Sequence, residues 1–242
     1  MFLTNKKKGE TPLELLERIR LEKPELKSEK LSYIGRLDPM AEGEIIILVG
    51  EENKNYKDYL GFDKEYEAEF IFGFSTDTGD VLGKITGSVL PSEISCNEIK
   101  KVITDFINLK EQTYPWFSSK TVKGKKLFEY FKEGEIENIE RPKREVKIYS
   151  TQVLNDCEKI SAQKLEENIL NSIGTLSGKN DFRQEEIKQI WKDFFADKRD
   201  EEFLNIKIKI KVGTGTYIRA LTELFSFPAT LLSLKRTKVF VD

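Results

Sequence analysis

The 242-residue sequence contains no histidine. That absence removes the histidine general base, the Ser-His-Asp and Cys-His nucleophilic arrangements and every histidine-based zinc site. A carboxylate, lysine, tyrosine or cysteine must carry whatever chemistry occurs. Only two cysteines are present, Cys96 and Cys157, far apart and without the paired spacing of a metal site, so no metal is expected. Net charge is nearly missing as well: 40 basic residues face 42 acidic ones, so no overall basic footprint exists and any nucleic-acid site must be local. Long apolar runs are also lacking. The longest purely aliphatic run, Ile45 to Val49, falls far short of a membrane span, and the lysine-rich N-terminus has no apolar region behind it. A cytoplasmic protein with no membrane association is the expectation.

What is present suits a folded domain. Hydrophobic residues make up 38% of the chain and aromatic ones 11%, enough for a sizeable core, and the 34% charged fraction reads as a heavily solvated surface. Basic residues concentrate in two places. One is the stretch from Phe203 to Val241, with Lys207, Lys209, Lys211, Arg219, Lys235, Arg236 and Lys238. The other is the run Lys120, Lys123, Lys125 and Lys126 followed by Arg141, Lys143, Arg144 and Lys147. Both can be solvated strand faces or local RNA-binding footprints.

Thr11-Pro12-Leu13-Glu14 has the spacing of a capping box with proline at the first helical position, which predicts a helix to about Glu22 with Leu13, Leu16 and Ile19 as its apolar stripe. Leu31 to Gly43 reads as irregular, leading into a strand at Ile45 to Val49 that Gly50 ends. Alternation of Tyr66, Ala68, Phe70 and Phe72 with acidic residues predicts a half-buried strand from Lys64 to Gly73, followed by a turn at Ser75 to Gly79. Helices are predicted at 96–107, 126–132, 161–173, 184–195 and 216–225, strands at 144–153, 203–212 and 235–241, and a loop at 177–184. Strands and helices intermix without regular βαβ spacing, which implies one α+β domain over residues 1–242 built on a mixed, largely antiparallel central sheet flanked by helices, with no linker.

One segment points to chemistry. Gly35-Arg36-Leu37-Asp38-Pro39-Met40-Ala41-Glu42-Gly43 places a carboxylate between glycines and a proline just before a buried strand, the kind of loop on which active sites are carried. Asp38-Pro39 alone is equally a turn initiator.

Further segments give that loop a context. Lys8-Gly9-Glu10-Thr11-Pro12, the loop at 35–43, Lys64-Glu65-Tyr66, Phe72-Gly73 through Ser75-Thr76-Asp77-Thr78-Gly79-Asp80, Tyr114-Pro115-Trp116-Phe117-Ser118-Ser119-Lys120 with Lys123 to Phe128, Gly215-Thr216-Tyr217-Ile218-Arg219-Ala220-Leu221 and Leu234-Lys235-Arg236-Thr237 occur in this order. Together they resemble the pseudouridine synthases, in particular the tRNA pseudouridine-55 synthase (TruB) group, over nearly the whole chain. The resemblance implies isomerisation of a uridine to pseudouridine in the T-loop of tRNA by base flipping, without metal or cofactor, in a monomer with no obligate protein partner. It implies Asp38 as nucleophile, attacking ribose C1′ or uracil C6. Arg219 would be its ion partner, and Tyr66 a stacking platform that serves proton transfer at C5. Tyr217 and Leu234 would wall the pocket, Lys8 and Arg236 would contact substrate, and Tyr33 would stand where relatives carry a histidine that helps hold the flipped-out region. On their own, Tyr66 and Leu234 read as core, Arg219 as a phosphate contact or surface residue, and Lys8 equally as one of three interchangeable lysines. Many relatives append a small C-terminal RNA-binding domain, which the chain is expected to lack, leaving salt-sensitive RNA affinity resting on the local basic stretches. Two other readings are an enzyme of the ribosomal-RNA type and a non-catalytic RNA-binding or RNA-folding protein of the same fold.

Overall fold

A computed structural model describes residues 1–241, the side chain of Asn138 excepted; Asp242, the last residue of the expected domain, lies outside the described residues. The chain opens with β1 (Phe2–Lys6) and α1 (Pro12–Glu22). Thr11 caps α1 as its sequence demands: its hydroxyl accepts from the Glu14 amide at 3.2 Å and its own amide donates to the Glu14 carboxylate at 2.7 Å, a device that contributes about 1 kcal/mol. The buried stripe is Leu15, Leu16 and Ile19, while Leu13 faces solvent. Position 15 lies one turn from 19 on the inner face, whereas 13 falls on the outer one.

β2 (Leu31–Ile34) and β3 (Ala41–Val49) follow, so the segment expected to be irregular holds a strand and most of the chemistry-bearing loop is only six residues long. Next come β4 (Lys64–Phe72), β5 (Phe74–Thr76), β6 (Ile85–Ser88), α2 (Cys96–Asp105), β7 (Glu111–Thr113), β8 (Thr121–Val122), β9 (Lys125–Lys126) and α3 (Leu127–Glu133). The expected strand at 144–153 is broken into β10 (Lys143–Glu145), which pairs with β7, and β11 (Ile148–Val153), which joins the main sheet. β12 (Glu158–Ser161), α4 (Ala162–Gly174), α5 (Gln184–Ala196), β13 (Glu202–Val212) and β14 (Ala229–Val239) complete the order. Of the helix expected at 216–225 only a short 3-10 turn, Arg219–Leu224, is formed, because the Tyr217 amide and carbonyl before it are taken by the Gln112 side chain.

The central sheet has eight strands in the order β1-β3-β14-β4-β13-β11, with β2 also on β3 and β12 also on β13. Only β14 and β3 run parallel within it. The parallel contact is close at Gly43, where φ is +111° and a Cβ would collide with the backbone of Arg236. Strand alternation splits the core. Tyr66, Ala68, Phe70 and Phe72 point with Ile206, Ile208 and Ile210 to the face covered by α2, where Phe106 meets Phe70 edge-on at 6.4 Å. Ile71 and Phe203 point to the other face, covered by α4 and α5, and the fully buried Trp191 of α5 donates its indole N–H to the Val81 carbonyl at 3.0 Å.

The same alternation places three lysines of one basic stretch. In the β13–β4 register Lys207, Lys209 and Lys211 lie opposite Glu69, Glu67 and Glu65, on the face away from Tyr66, so their charge is locally neutralised. Cys96 and Cys157, distant in sequence, are brought together into a disulfide with Cα atoms 6.0 Å apart. Their sequence separation gave no sign of this pairing, since the N-terminus of α2 meets the β11–β12 connection only in the tertiary fold. Among the described residues no helix is long and apolar enough to cross a membrane.

Candidate active site

The loop between β2 and β3 leads into Ala41, where β3 begins its parallel pairing with β14 opposite Leu234, and it is tied down from behind. Lys6, at the end of β1, is buried; its ammonium donates to the carbonyls of Glu10 at 2.5 Å, Lys7 at 2.9 Å and Pro39 at 3.4 Å, while the Gly9 amide donates to Pro39 O at 2.8 Å. The Ala41 amide closes the turn on Asp38 O at 3.0 Å. Asp38 is thereby pinned at a fixed place while its side chain stays about one-third exposed, accessible to a ligand.

It faces a cavity of about 490 Å³, of the size that holds a small-molecule group. Tyr66, Tyr217 and Leu234 line it, with Asp80, Lys64 and Arg219. Arg219 links its walls. Its Nε donates to Asp38 Oδ2 at 3.0 Å and lies 3.5 Å from Asp80 Oδ2, one Nη donates to Thr78 O and the other to Phe117 O at 3.1 Å. An arginine with all three of its nitrogens donating is held in place, and its planar fork fits this duty where an ammonium does not. Gly79, with φ +76°, lets the turn press against Arg219, since a Cβ there would lie 3.1 Å from both its Cγ and its carbonyl oxygen.

The electrostatics follow from burial. Burial pushes the Asp80 carboxyl up, Arg219 offsets part of this and Asp38 adds to it. Burial pulls the Arg219 guanidinium down, but the carboxylates of Asp38 and Asp80 together outweigh it and hold it above the ordinary arginine value. Tyr217 is raised by burial and by Asp38. Burial lowers Lys6 to about 8 against the raising effect of Glu10 and Asp38, and lowers Lys64 to about 8 with Arg236 acting in the same direction.

A stability prediction comes from these two lysines. The folded state releases both protons near pH 8 while the unfolded chain holds them to 10.5. Each therefore contributes stability that is complete above pH 10.5 and lost as pH falls through about 8. Between pH 8 and 9.5 the free energy of unfolding should rise, on the order of 1 kcal/mol per pH unit per lysine. Urea titrations across this window should show the rise, and Lys6→Met should remove about half of the slope; an unchanged slope in that variant would contradict the assignment.

The structure brings Asp38, Tyr66, Arg219, Tyr217, Leu234 and Arg236 to one cavity. Arg236 is fully buried in its floor, with Nε donating to Glu44 O. Lys8 is not brought there: its ammonium donates to Ser172 Oγ of α4 at 3.3 Å. Tyr33 is also outside, its ring packed with the cluster under α1 and its hydroxyl accepting from Arg36 at 3.1 Å. Strand parity accounts for that. Ile34 takes the inward position of β2, and Arg36, which lines the cavity and also donates to Ser119 Oγ at 2.8 Å, is the residue facing the mouth.

Sequence reasoning missed Lys6, Lys64 and Asp80. Lys64 did carry a signal, since it shares the parity of Tyr66 on β4, which puts a lysine on a buried face. Asp80 stood in a motif already noted. Lys6 could not be told from its neighbours Lys7 and Lys8.

This mixed sheet, with helices on both faces, is the fold of the pseudouridine synthases. A crystal structure of a Cbf5-Nop10-Gar1 complex matches it over 97% of this chain and 47% of that one, with a TM-score of 0.53 at 18% identity. A structure of an H/ACA RNP bound to a substrate RNA containing 2′-deoxyuridine does so over 97% and 45%, with a TM-score of 0.51 at 16% identity. Within that class the chain belongs to the TruB family pseudouridylate synthases, whose N-terminal domain it matches over residues 23–177. It is 33% identical over 154 residues to the tRNA pseudouridine synthase B of Aquifex aeolicus, covering 64% of this chain and 52% of that protein. It is 30% identical over 237 residues to that of a Nostoc species, covering 96% and 64%. The chain thus spans about half to two-thirds of the length of these relatives.

Proposed function

We propose that the chain isomerises a uridine of tRNA to pseudouridine, at position 55 in the T-loop, with Asp38 as nucleophile. The observation that carries this reading is the Asp38–Arg219 pair at 3.0 Å on the wall of a 490 Å³ cavity that Tyr66 and Tyr217 also line. The reaction breaks the N1–C1′ glycosidic bond, joins C5 to C1′, loses the C5 proton and returns a proton to N1. A carboxylate can start it by attack at C1′ or at C6 and leaves unchanged at the end, so no metal or cofactor is needed. The cavity admits one base and no duplex, which requires the uridine to leave its stack. Tyr66 offers a flat face to that base and a hydroxyl for the C5 proton; Leu234 completes the apolar wall, and Arg236 and Lys64 supply positive charge at the floor. We assign these roles in a single catalytic domain that acts as a cytoplasmic monomer.

The second basic run begins beside Ser118 and Ser119 and brackets Phe128, which line the cavity. Lys123-Gly124 forms the tip of the β8–β9 hairpin with φ values of +48° and +85°, the geometry of a type I′ turn, and presents Lys120 and Lys123 to solvent. Replacing both by glutamine should weaken tRNA binding and lower the slope of log affinity against log salt by about 1 to 2. Replacing Lys207 and Lys209 should leave the slope alone, since both face glutamates across the sheet. The reverse pattern would move the RNA to the other face.

The test of the reading is pseudouridine mapping in an unmodified tRNA transcript. Product at one T-loop position is the expected result. Tight, specific tRNA binding with no product would favour the RNA-binding alternative, and product only in ribosomal RNA would favour the other.

A further inference from the structure

α4 and α5 interrupt a hairpin. β12 and β13 pair directly, with Ser161 opposite Glu202, and residues 162–201 leave that pairing to form two packed helices. Their far end does not stay on the back of the sheet. Asp181, Phe182 and Arg183 reach round to line the cavity, and Arg183 takes a left-handed conformation at φ +61°, unfavourable for a residue with a side chain. The Asp181 carboxylate accepts from the Arg183 amide at 2.8 Å, and the Gln184 side chain accepts from the Phe182 amide at 2.8 Å, which fixes the tip.

That backbone aims the Arg183 guanidinium at two places at once. Its nitrogens donate to the two oxygens of the largely buried Asp77 at 2.8 and 3.4 Å, and its plane lies over the Phe117 ring at 4.9 Å. Asp77 also accepts from the Lys84 amide at 2.8 Å, so the fork grips the turn that runs from Thr76 to Lys84. Thr78 and Asp80 belong to that turn. The Thr78 carbonyl, the Asp80 carboxylate and the Phe117 carbonyl are the groups other than Asp38 that surround the Arg219 guanidinium.

We infer that Arg183 is a positioning residue for Arg219: it binds together, at the cavity wall, the two loops whose carbonyls hold the partner of Asp38. The inference rests on the reading of Asp38 and Arg219 given above. A salt bridge on a protein surface would have little such effect, but this one is bidentate, has one buried member and stacks on an aromatic ring, conditions under which arginine geometry is rigid.

The test compares wild type, Arg183→Ala, Arg183→Lys and Asp77→Asn in single-turnover pseudouridine formation and in tRNA binding. A loose Arg219 misplaces the nucleophile, so Arg183→Ala should slow the chemical step about tenfold with affinity within about twofold. Asp77→Asn, which keeps the shape of the turn, should slow it in the same sense. Arg183→Lys, with the charge but neither fork nor stack, should fall between wild type and alanine. An unchanged rate would overturn the proposal. So would a loss confined to affinity with a flatter salt dependence, which would make Arg183 an RNA contact.

A second readout needs no activity. The Arg219 Nε–H resonance, assigned by its disappearance in Arg219→Lys, should exchange with solvent at least about tenfold faster in Arg183→Ala and in Asp77→Asn than in wild type. Equal exchange in all three would overturn the positioning role even if the protein makes pseudouridine. Faster exchange in a protein that makes none would sustain that role and reject the proposed reaction.

Discussion

Asp38→Asn should abolish pseudouridine formation, with the single-turnover rate falling by at least about 10⁴-fold while tRNA affinity stays within about threefold. Asparagine matches aspartate in size, so the loop between β2 and β3, held by Lys6 and by the Gly9 and Ala41 amides, keeps its form. Arg219 keeps its bonds to Thr78 O and Phe117 O and its approach to Asp80, so the cavity survives. What is lost is the anionic oxygen that attacks the nucleoside, and an amide does not replace it. Mapping the product in a tRNA transcript, with binding and thermal unfolding measured on the same preparation, separates this outcome from misfolding. Full activity in the variant would remove Asp38 from the chemistry and with it the proposed mechanism.

Arg219→Lys should lower the rate of the chemical step by about 10²- to 10³-fold and leave tRNA affinity within about threefold, because the guanidinium makes its contacts inside the protein, with Asp38 among them. Lysine keeps the charge that the buried Asp80 requires, so the variant folds. It has three donors around one nitrogen and cannot serve Asp38, Thr78 O and Phe117 O along three separate directions. Arg219→Ala is a harsher change: it leaves Asp80 buried beside Asp38 with no cation, a situation that costs about 3 to 5 kcal/mol when a buried pair is broken. Chemical denaturation should show that loss for alanine and a smaller one for lysine. If Arg219→Lys lost rate and affinity in equal measure, the residue would be an RNA phosphate contact.

Local features were open to reading from the sequence because local forces decide them. Thr11, Pro12 and Glu14 form the start of α1 among themselves, and the period of two from Tyr66 to Phe72 needs only a sheet with one dry face to be correct. Elements whose form depends on distant partners were not legible. The helix expected at 216–225 shrinks to one 3-10 turn, since the Tyr217 amide and carbonyl are taken by the side chain of Gln112 and Arg219 by three segments. The strand expected at 144–153 breaks in two, because β10 has its partner in β7 and β11 has its own in β13.

The site divides in the same way. Which residue types could act was set by composition: with no histidine, a carboxylate, lysine, tyrosine or cysteine was left for any chemistry, and the resemblance carried by the ordered motifs pointed to Asp38, Tyr66 and Arg219. Where each side chain points was decided by strand parity and chain path, which depend on contacts such as those between Arg219 and Asp38, 181 positions apart, and between Arg236 and Glu44, 192 apart. Those contacts turned Lys6 rather than Lys8 inward, took Tyr33 out of the cavity, set Lys207 and its neighbours against glutamates, and carried the tip of α4 and α5 to the loops around Arg219. A sequence records the groups available at each position and the short-range bonds they form. Burial and direction belong to the packed sheet, where a side chain's surroundings come from strands distant along the chain.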